Sequence, residues 1–168
     1  MPLLSFIASA LLLSLAGSAG RPATATLRAT DTDGKSWSLL SPAPHEFDLL
    51  FFVSTDCPIS NRYAPEITRI CADYRARGVR CFLVYPDTGA DAGAVSAHRR
   101  DYGLSAAAPA IIDRDHALVR AVGPRVTPEA ALYSSTGRVY RGRIDAALAG
   151  RSITPAETEA VGCFIAKP

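Results

Sequence analysis

Residues 54–66, STDCPISNRYAPE, contain the side chain best suited to chemistry, the thiol of Cys57. An apolar run ends just before Cys57, and a helical pattern starts at Pro58, a residue type favoured at the first position of a helix. We therefore expect Cys57 at a helix N-terminus, where backbone N–H groups and the helix dipole stabilise a thiolate, the reactive form of cysteine. The alternatives are an inert buried thiol and a metal ligand. A corner between strand and helix is expected to present its side chain outward, which favours the reactive thiol.

Three neighbours of Cys57 bear on its reactivity. Ser60 lies one helical turn later, and its hydroxyl is expected to donate a hydrogen bond to the sulfur. The carboxylate of Asp56 acts in the opposite sense, because a nearby negative charge disfavours a thiolate. Pro65 removes one helical hydrogen bond and is expected to kink the helix. These residues predict a reactive cysteine without fixing its acidity.

The sequence predicts neither a metal site nor a cofactor. The motif has no second cysteine, and His45, His98 and His116 have no metal-ligand spacing among themselves. His98 and His116 are predicted to be surface residues on short helices. Residues 86–91, PDTGAD, lack the length and the closing glutamate of a calcium loop, so Asp91 is assigned to a helix cap instead.

The remaining cysteines, Cys71, Cys81 and Cys163, differ in their surroundings. Cys71 falls on the apolar stripe of the helix and Cys81 in a buried strand, so both are predicted to be buried free thiols. A disulfide between Cys57 and Cys71 is excluded, because a continuous helix would hold the two residues roughly 21 Å apart. Cys163, in the stretch EAVGCFIAKP, leaves two possibilities open. It pairs through a tail that folds back, or it belongs to a terminal apolar plug, CFI.

The pattern along the chain predicts one mixed α/β domain. Two alternating runs around Asp33-Gly34 are typical of a β-hairpin. Two apolar runs, residues 47–54 and 79–87, are typical of strands buried on both faces, and a helical pattern that ends near Gly78 separates them. A short helix, a strand, a helical turn and a second hairpin follow at 91–102, 109–113, 116–123 and around 136–137. This order predicts a mixed sheet with helices on both faces.

Composition and charge exclude some functions. The chain has 168 residues, 48% of them apolar, and a net charge of +2, which fits one compact domain. Its basic residues are spread along the chain, so no nucleic-acid surface is predicted.

The N-terminal residues predict export. Residues 1–20 contain no charged side chain, and their apolar core is shorter than a membrane span. Small residues follow, which predicts a signal peptide cleaved after Ala19 or Ala25 and export to the periplasm or another extracytoplasmic space. No Lys or Arg precedes the apolar core, so an uncleaved anchor stays open, and membrane contact is expected only through this segment.

Two segments carry a family resemblance: residues 57–65, CPISNRYAP, and residues 125–145, RVTPEAALYSSTGRVYRGRID. They resemble the active-site corner and the later cis-proline segment of the thioredoxin superfamily. More narrowly, FFVSTDCPISNRYAPEI, FLVYPD and VGCFI resemble exported redoxin-domain proteins related to the alkyl hydroperoxide reductase and thiol-specific antioxidant group. The resemblance implies a thioredoxin-like fold, with a central mixed β-sheet flanked by helices and an N-terminal β-hairpin extension. It also implies a cis Thr127–Pro128 bond that faces Cys57.

The sequence departs from these relatives at several positions. Dithiol members have a second cysteine where this chain has Ser60, so no disulfide can close within the motif. Peroxiredoxins have a proline and a threonine where this chain has Leu50 and Ser54, and Ser54 could replace the threonine as a hydrogen-bond donor. Thioredoxin's buried acid is replaced by apolar residues, Phe51 among them. Arg125 is expected to be solvated rather than to support a thiolate.

The residues and the resemblance together predict a thiol-disulfide oxidoreductase. Cys57 would attack a disulfide or oxidised thiol through a mixed-disulfide intermediate. Ser60 would stabilise the thiolate, and Pro128, preceded by Thr127, would shape the substrate groove. Cys163 would be a candidate resolving cysteine. The predicted partners are a protein or small-molecule disulfide or thiol and an unidentified electron donor.

Two other functions stay open. One is a thiol peroxidase that oxidises Cys57 to a sulfenic acid. The other is a non-catalytic module that holds copper or a partner polypeptide. The predicted segments are a signal peptide or anchor at 1–25, a redoxin domain at 26–150 and a C-terminal tail with Cys163 at 151–168.

Overall fold

A five-stranded sheet forms the centre of the computed structural model, which describes residues 26–146 and 157–167. Its strands are β3 (Phe47–Phe52), β4 (Val79–Tyr85), β5 (Ala110–Ile112), β7 (Glu129–Ser134) and β8 (Gly137–Gly142). The strand order is β5-β4-β3-β7-β8, in which β3, β4 and β5 are parallel and β7 and β8 are antiparallel to their neighbours. The mixed sheet predicted from the sequence is confirmed.

Strand β3 is central and buried on both faces. It pairs with β4 on one side and with β7 on the other. Because side chains alternate along a strand, Leu49 and Phe51 belong to one core cluster, and Leu50 and Phe52 belong to the other. This explains the nearly continuous apolar run in the sequence.

Both faces of the sheet are covered, as predicted. Helices α1 (Pro58–Arg75) and α2 (Ala92–Asp101) contribute to the cluster that contains Leu49. Helix α3 (Ala117–Val122) contributes to the opposite cluster, together with the predicted N-terminal hairpin. That hairpin consists of β1 (Leu27–Thr30) and β2 (Ser36–Leu39). The Asp91 side chain caps α2 by accepting a hydrogen bond from the Ala94 N–H at 2.8 Å, which confirms the predicted cap.

Helix α1 follows the carboxyl end of β3 after a short loop. Pro58 is its first residue, and Cys57 is the N-cap residue, with an extended backbone (φ −87°, ψ 109°). The helix continues through Pro65 and ends at Arg75, shortly before Gly78, which has a positive φ of 79°. Cys57 therefore lies at the carboxyl end of a central strand and at the start of a long helix, which is a common position for sites in α/β sheets.

Two short strands join the end of the chain to the rest of the domain. Strand β6 (Val126–Thr127) pairs antiparallel with β9 (Cys163–Phe164), so that Cys163 lies opposite Thr127. A 3₁₀ turn spans Ile144–Ala146. The predicted signal peptide or anchor, residues 1–25, lies outside the described residues. No helix in the described part of the chain is long and apolar enough to cross a bilayer.

Candidate active site

A disulfide joins Cys57 to Cys163, across a sequence separation of 106 residues. The two Cα atoms are 6.0 Å apart, a common separation for disulfide-bonded cysteines. The question that the sequence left open for Cys163 is therefore decided in favour of pairing. The apolar-plug alternative is wrong, because Phe164 in the CFI stretch is 88% exposed.

Cys57 is buried, with only 1% of its surface exposed, so the expectation of an outward-facing side chain was wrong. Its sulfur is bonded to Cys163 and lies 3.0 Å from the carbonyl oxygen of Thr127. In the reduced thiol, the S–H group would donate a hydrogen bond to that oxygen. Thr127 of β6 and Cys163 of β9 contact the Cys57 sulfur, and no local feature of the sequence indicates these contacts.

The Thr127–Pro128 peptide bond is cis, as the resemblance implied. Thr127 is 2% exposed, and its carbonyl oxygen faces the Cys57 sulfur. Both residues are thus in place beside the disulfide, at the junction of β6 and β7.

Ser60 has a different contact from the one expected. Its Oγ accepts a hydrogen bond from the Ser54 N–H at 3.3 Å, and the described hydrogen bonds include none from Ser60 to the Cys57 sulfur. Ser54 Oγ in turn accepts from the Asp56 N–H at 3.4 Å, and the Thr55 N–H donates to Asp87 at 3.1 Å. Ser60 is buried at the helix N-terminus and holds the loop that leads into Cys57.

Glu129 is a buried site residue that the sequence reasoning missed. Its carboxylate accepts a hydrogen bond from the Arg125 N–H at 2.8 Å and forms an ion pair with Arg141 at 3.4 Å. It therefore fixes the segment before Thr127 from the next strand. The available signal was a charged residue between Pro128 and the apolar run AALY. The Arg125 side chain is exposed, which confirms that it is solvated.

The segment 157–167, called the C-terminal strap below, makes further contacts outside the disulfide. Glu157 forms an ion pair with Arg138 at 2.7 Å. The Thr158 N–H donates to the Arg141 carbonyl at 3.1 Å. Near the disulfide, Gly162 passes so close to Thr127 that a Cβ on residue 162 would lie 2.2 Å from the Thr127 oxygen. The strap therefore has non-covalent contacts at both of its ends.

His98 and His116 are not surface residues, contrary to the prediction. His98 is 6% exposed, and its two ring nitrogens lie 3.0 Å from the Tyr85 hydroxyl and 2.8 Å from Asn61 Oδ1. His116 is 3% exposed and lies 2.7 Å from the Pro86 carbonyl oxygen. The prediction failed for His98 because α2 packs against the first turns of α1, and for His116 because its ring contacts the carbonyl oxygen of Pro86, which follows β4. The short periodic patterns around the two histidines show neither contact.

Burial lowers the pKa of His98, although nearby carboxylates, those of Asp87, Asp101 and Asp56, act in the opposite sense. A neutral imidazole is therefore favoured between α2 and the first turns of the Cys57 helix. His98 contacts the site only indirectly, through Asn61 in the first turn of α1, and it does not contact the disulfide in the described structure.

Cys71 and Cys81 are free and buried, which confirms that prediction. A hydrogen bond with Cys71 and burial together raise the pKa of the Cys81 thiol. Within residues 26–146 and 157–167, no three or more His, Cys, Asp or Glu side chains are grouped so that they could hold a metal ion.

No protein-family model matches the chain, and no curated protein is significantly similar to it in sequence. Several solved structures are similar in fold. A hypothetical protein from Sinorhizobium meliloti is 21% identical with a TM-score of 0.69, over 85% of this chain and 91% of that one. A secreted Mycobacterium tuberculosis disulfide oxidoreductase homologous to E. coli DsbE is 21% identical with a TM-score of 0.56, over 67% and 78%. Mycobacterium tuberculosis DsbF, in mixed oxidised and reduced forms, is 21% identical with a TM-score of 0.63, over 80% and 98%.

The strand order, the helix that starts after Cys57 and these structural similarities show that the chain has a thioredoxin-like fold. Sequence identities of this size establish the fold alone.

Proposed function

We propose that this protein is an exported thiol-disulfide oxidoreductase in which Cys57 is the catalytic thiol and Cys163 resolves its mixed disulfides. The observation that carries the proposal is the Cys57–Cys163 disulfide, placed at a helix N-terminus beside a cis-proline. Ser60 occupies the position of the second cysteine of dithiol relatives, and Cys163 supplies that thiol from the C-terminal strap.

The reaction begins with both cysteines reduced. The Cys57 thiolate attacks one sulfur of a substrate disulfide, and the other substrate sulfur leaves as a thiolate. Cys163 then attacks the Cys57 sulfur of this mixed disulfide. The second substrate thiolate leaves, and the Cys57–Cys163 disulfide forms.

Each site residue has a separate role in this proposal. The N-terminus of α1 stabilises negative charge on Cys57, whether Cys57 attacks or leaves. Thr127 and Pro128 form the wall that the substrate sulfur must approach. Ser60 acts indirectly, because it holds the loop before Cys57 through Ser54.

Access to Cys57 requires the strap to move. Cys57 is 1% exposed in the disulfide form, and its cover includes the two-residue strand β9. Once the disulfide is reduced, only non-covalent contacts hold β9 on β6, so a substrate can replace it there. The contacts at the other end of the strap, made by Glu157 and Thr158, keep Cys163 close enough to resolve the intermediate.

Two findings support an extracytoplasmic location. The sequence predicts a signal peptide or anchor at residues 1–25, and one structurally similar protein, from Mycobacterium tuberculosis, is described as secreted. An oxidising compartment is also where a disulfide persists between turnovers. The substrate class is a protein or small-molecule disulfide or thiol, and a separate thiol donor returns the protein to its reduced form.

The proposal is tested by the reduction of insulin disulfides with dithiothreitol as the electron source. We expect catalysis by the wild-type protein and none by Cys57→Ser. When reduced Cys163→Ser is mixed with insulin and dithiothreitol is omitted, a mixed disulfide with insulin should accumulate. Cys71→Ala, which removes a free cysteine from the same helix, is the control and should retain activity. Full activity in a folded Cys57→Ser variant would refute the proposal. Hydrogen peroxide consumption that far exceeds insulin reduction would favour the peroxidase alternative.

A further inference from the structure

We propose that an external thiol reduces the disulfide by attacking Cys163 rather than Cys57. The mixed disulfide with the electron donor then forms on the C-terminal strap, between Val161 and Phe164. This inference rests on the proposed function, and it assigns the donor step to a different sulfur from the one that attacks the substrate.

Access to the two sulfurs differs. Thiol-disulfide exchange needs the incoming thiolate to reach one sulfur while the other leaves, so the rate depends on which sulfur is accessible. Cys57 is 1% exposed, and the Thr127 carbonyl oxygen is 3.0 Å from its sulfur. Cys163 is partly exposed, on a two-residue strand. An approaching thiolate therefore meets Cys163 first.

The leaving group favours the same direction. When Cys163 is attacked, Cys57 departs as a thiolate at the N-terminus of the 18-residue helix α1. Helix N-terminal N–H groups stabilise a thiolate, and a stabilised thiolate leaves faster. Attack on Cys57 would instead release Cys163, which lies in a short strand without a helix terminus behind it.

The step balances with a dithiol donor. The first donor thiolate forms a bond to Cys163 Sγ, the Cys57–Cys163 bond breaks, and Cys57 leaves with the electron pair. The second donor thiol, deprotonated, attacks the donor sulfur bound to Cys163. Cys163 leaves as a thiolate and takes up a proton. Two electrons pass from the donor, which becomes a disulfide, to the protein.

The surface around Cys163 fits a protein donor. The described residues include three exposed large apolar side chains, and two of them, Val161 (73%) and Phe164 (88%), lie within two residues of Cys163. Val161 also lines a shallow cavity of about 500 Å³ with Ile59 and Tyr63 of α1, and the charged side chains of Arg62 and Glu66 complete its lining. Gly162 adds no side chain between Val161 and the sulfur. A protein dithiol can bury this apolar surface as its sulfur reaches Cys163, whereas glutathione gains little from it.

The test maps the first adduct. Oxidised wild-type protein is mixed with glutathione, quenched with acid at a series of short times, alkylated and digested. The amounts of the two adducts are extrapolated to zero time. Protein with glutathione on Cys163 and an alkylated Cys57 should then exceed protein with glutathione on Cys57 and an alkylated Cys163 by about tenfold. Glutathione first on Cys57 would overturn the inference and leave the proposed function intact. If the protein contains no Cys57–Cys163 disulfide, the proposed function itself fails.

A second arm tests the surface. Phe164→Ser should slow reduction by a reduced bacterial thioredoxin by about tenfold, because the protein donor loses apolar contact area. The rate with glutathione should change less than about twofold, which controls for the reactivity of the disulfide itself. Equal effects on both donors would overturn the assignment of this surface to a protein partner. Tyr102→Ser, which removes the exposed tyrosine of the α2 C-terminus, is the control and should change neither rate.

Discussion

The substitution Gly162→Ala tests whether the close approach of the C-terminal strap to Thr127 controls the formation of the Cys57–Cys163 disulfide. A Cβ on residue 162 would lie 2.2 Å from the Thr127 oxygen and 2.6 Å from the Thr127 carbonyl carbon. Both are backbone atoms, so neither can rotate away as a side chain would. Ordinary van der Waals contact needs about 3.5 Å, so the strap must retreat on the order of 1 Å.

That retreat acts directly on the disulfide geometry. The Cα atoms of Cys57 and Cys163 are now 6.0 Å apart. A displacement on the order of 1 Å would bring them to about 7 Å, the upper limit for a bridge without further backbone movement. We expect the equilibrium constant for closing the disulfide to fall by at least about tenfold, or ~1.4 kcal/mol.

The assay is a redox titration in glutathione buffers, with the fraction of Cys57–Cys163 disulfide measured by differential alkylation and mass spectrometry. Gly89→Ala is the matched control, because a Cβ there meets nothing within 4 Å and the backbone φ is not positive. It should titrate as the wild type does. If Gly162→Ala also titrates as the wild type does, the close approach of the strap does not control the disulfide, and the argument from packing is wrong.

Two further predictions concern stability, and a third concerns the disulfide equilibrium. Burial lowers the pKa of His98, so below pH about 6.5 the unfolded chain binds a proton at this residue more readily than the folded protein does. The free energy of unfolding should therefore decrease as the pH falls from about 7 to 5.5. In urea titrations, the dependence of the free energy of unfolding on pH should be weaker in His98→Gln than in the wild type. It should be unchanged in His45→Gln, which replaces an exposed histidine. An unchanged pH dependence in His98→Gln would contradict the prediction. The disulfide closes a long loop, so Cys163→Ser should melt about 5–15 °C below the oxidised wild type. Equal melting temperatures of the wild type with and without reductant would show that the disulfide does not stabilise the fold. Glu157→Gln removes the ion pairs of an exposed carboxylate with Arg138 at 2.7 Å and with Arg141 at 3.5 Å, so it should shift the disulfide equilibrium by less than about fivefold. A larger shift would show that this end of the strap matters more than the exposure of Glu157 implies.

Local signals predicted much of the fold. Asp33-Gly34 gave the first hairpin, because few other residue pairs suit a tight turn. The change from a strand pattern to a helical pattern at Pro58 placed Cys57 at the helix N-terminus, where it lies. Each of these features depends on residues that are neighbours in the sequence.

The rest of the site depends on contacts between distant parts of the chain. Cys57 is buried because a strand 106 residues later pairs with β6 beside it, and no spacing in the sequence encodes that pairing. Ser60 bonds to Ser54 because the loop folds back over the helix start. His98 is buried because α2 packs next to α1, which a ten-residue helix does not reveal. Hydrophobic periodicity predicts local helices and strands, but it does not show which distant segments pack together.

The most direct measurement of the central claim uses purified, reduced Cys163→Ser protein and insulin as the disulfide substrate. Without its resolving thiol, the protein should stop at the mixed disulfide. Mass spectrometry of the quenched reaction should therefore find insulin attached to Cys57, released by dithiothreitol and absent from the Cys57→Ser/Cys163→Ser double variant. No adduct, or an adduct on Cys71 or Cys81 that persists in the double variant, would contradict the assignment of Cys57 as the catalytic thiol.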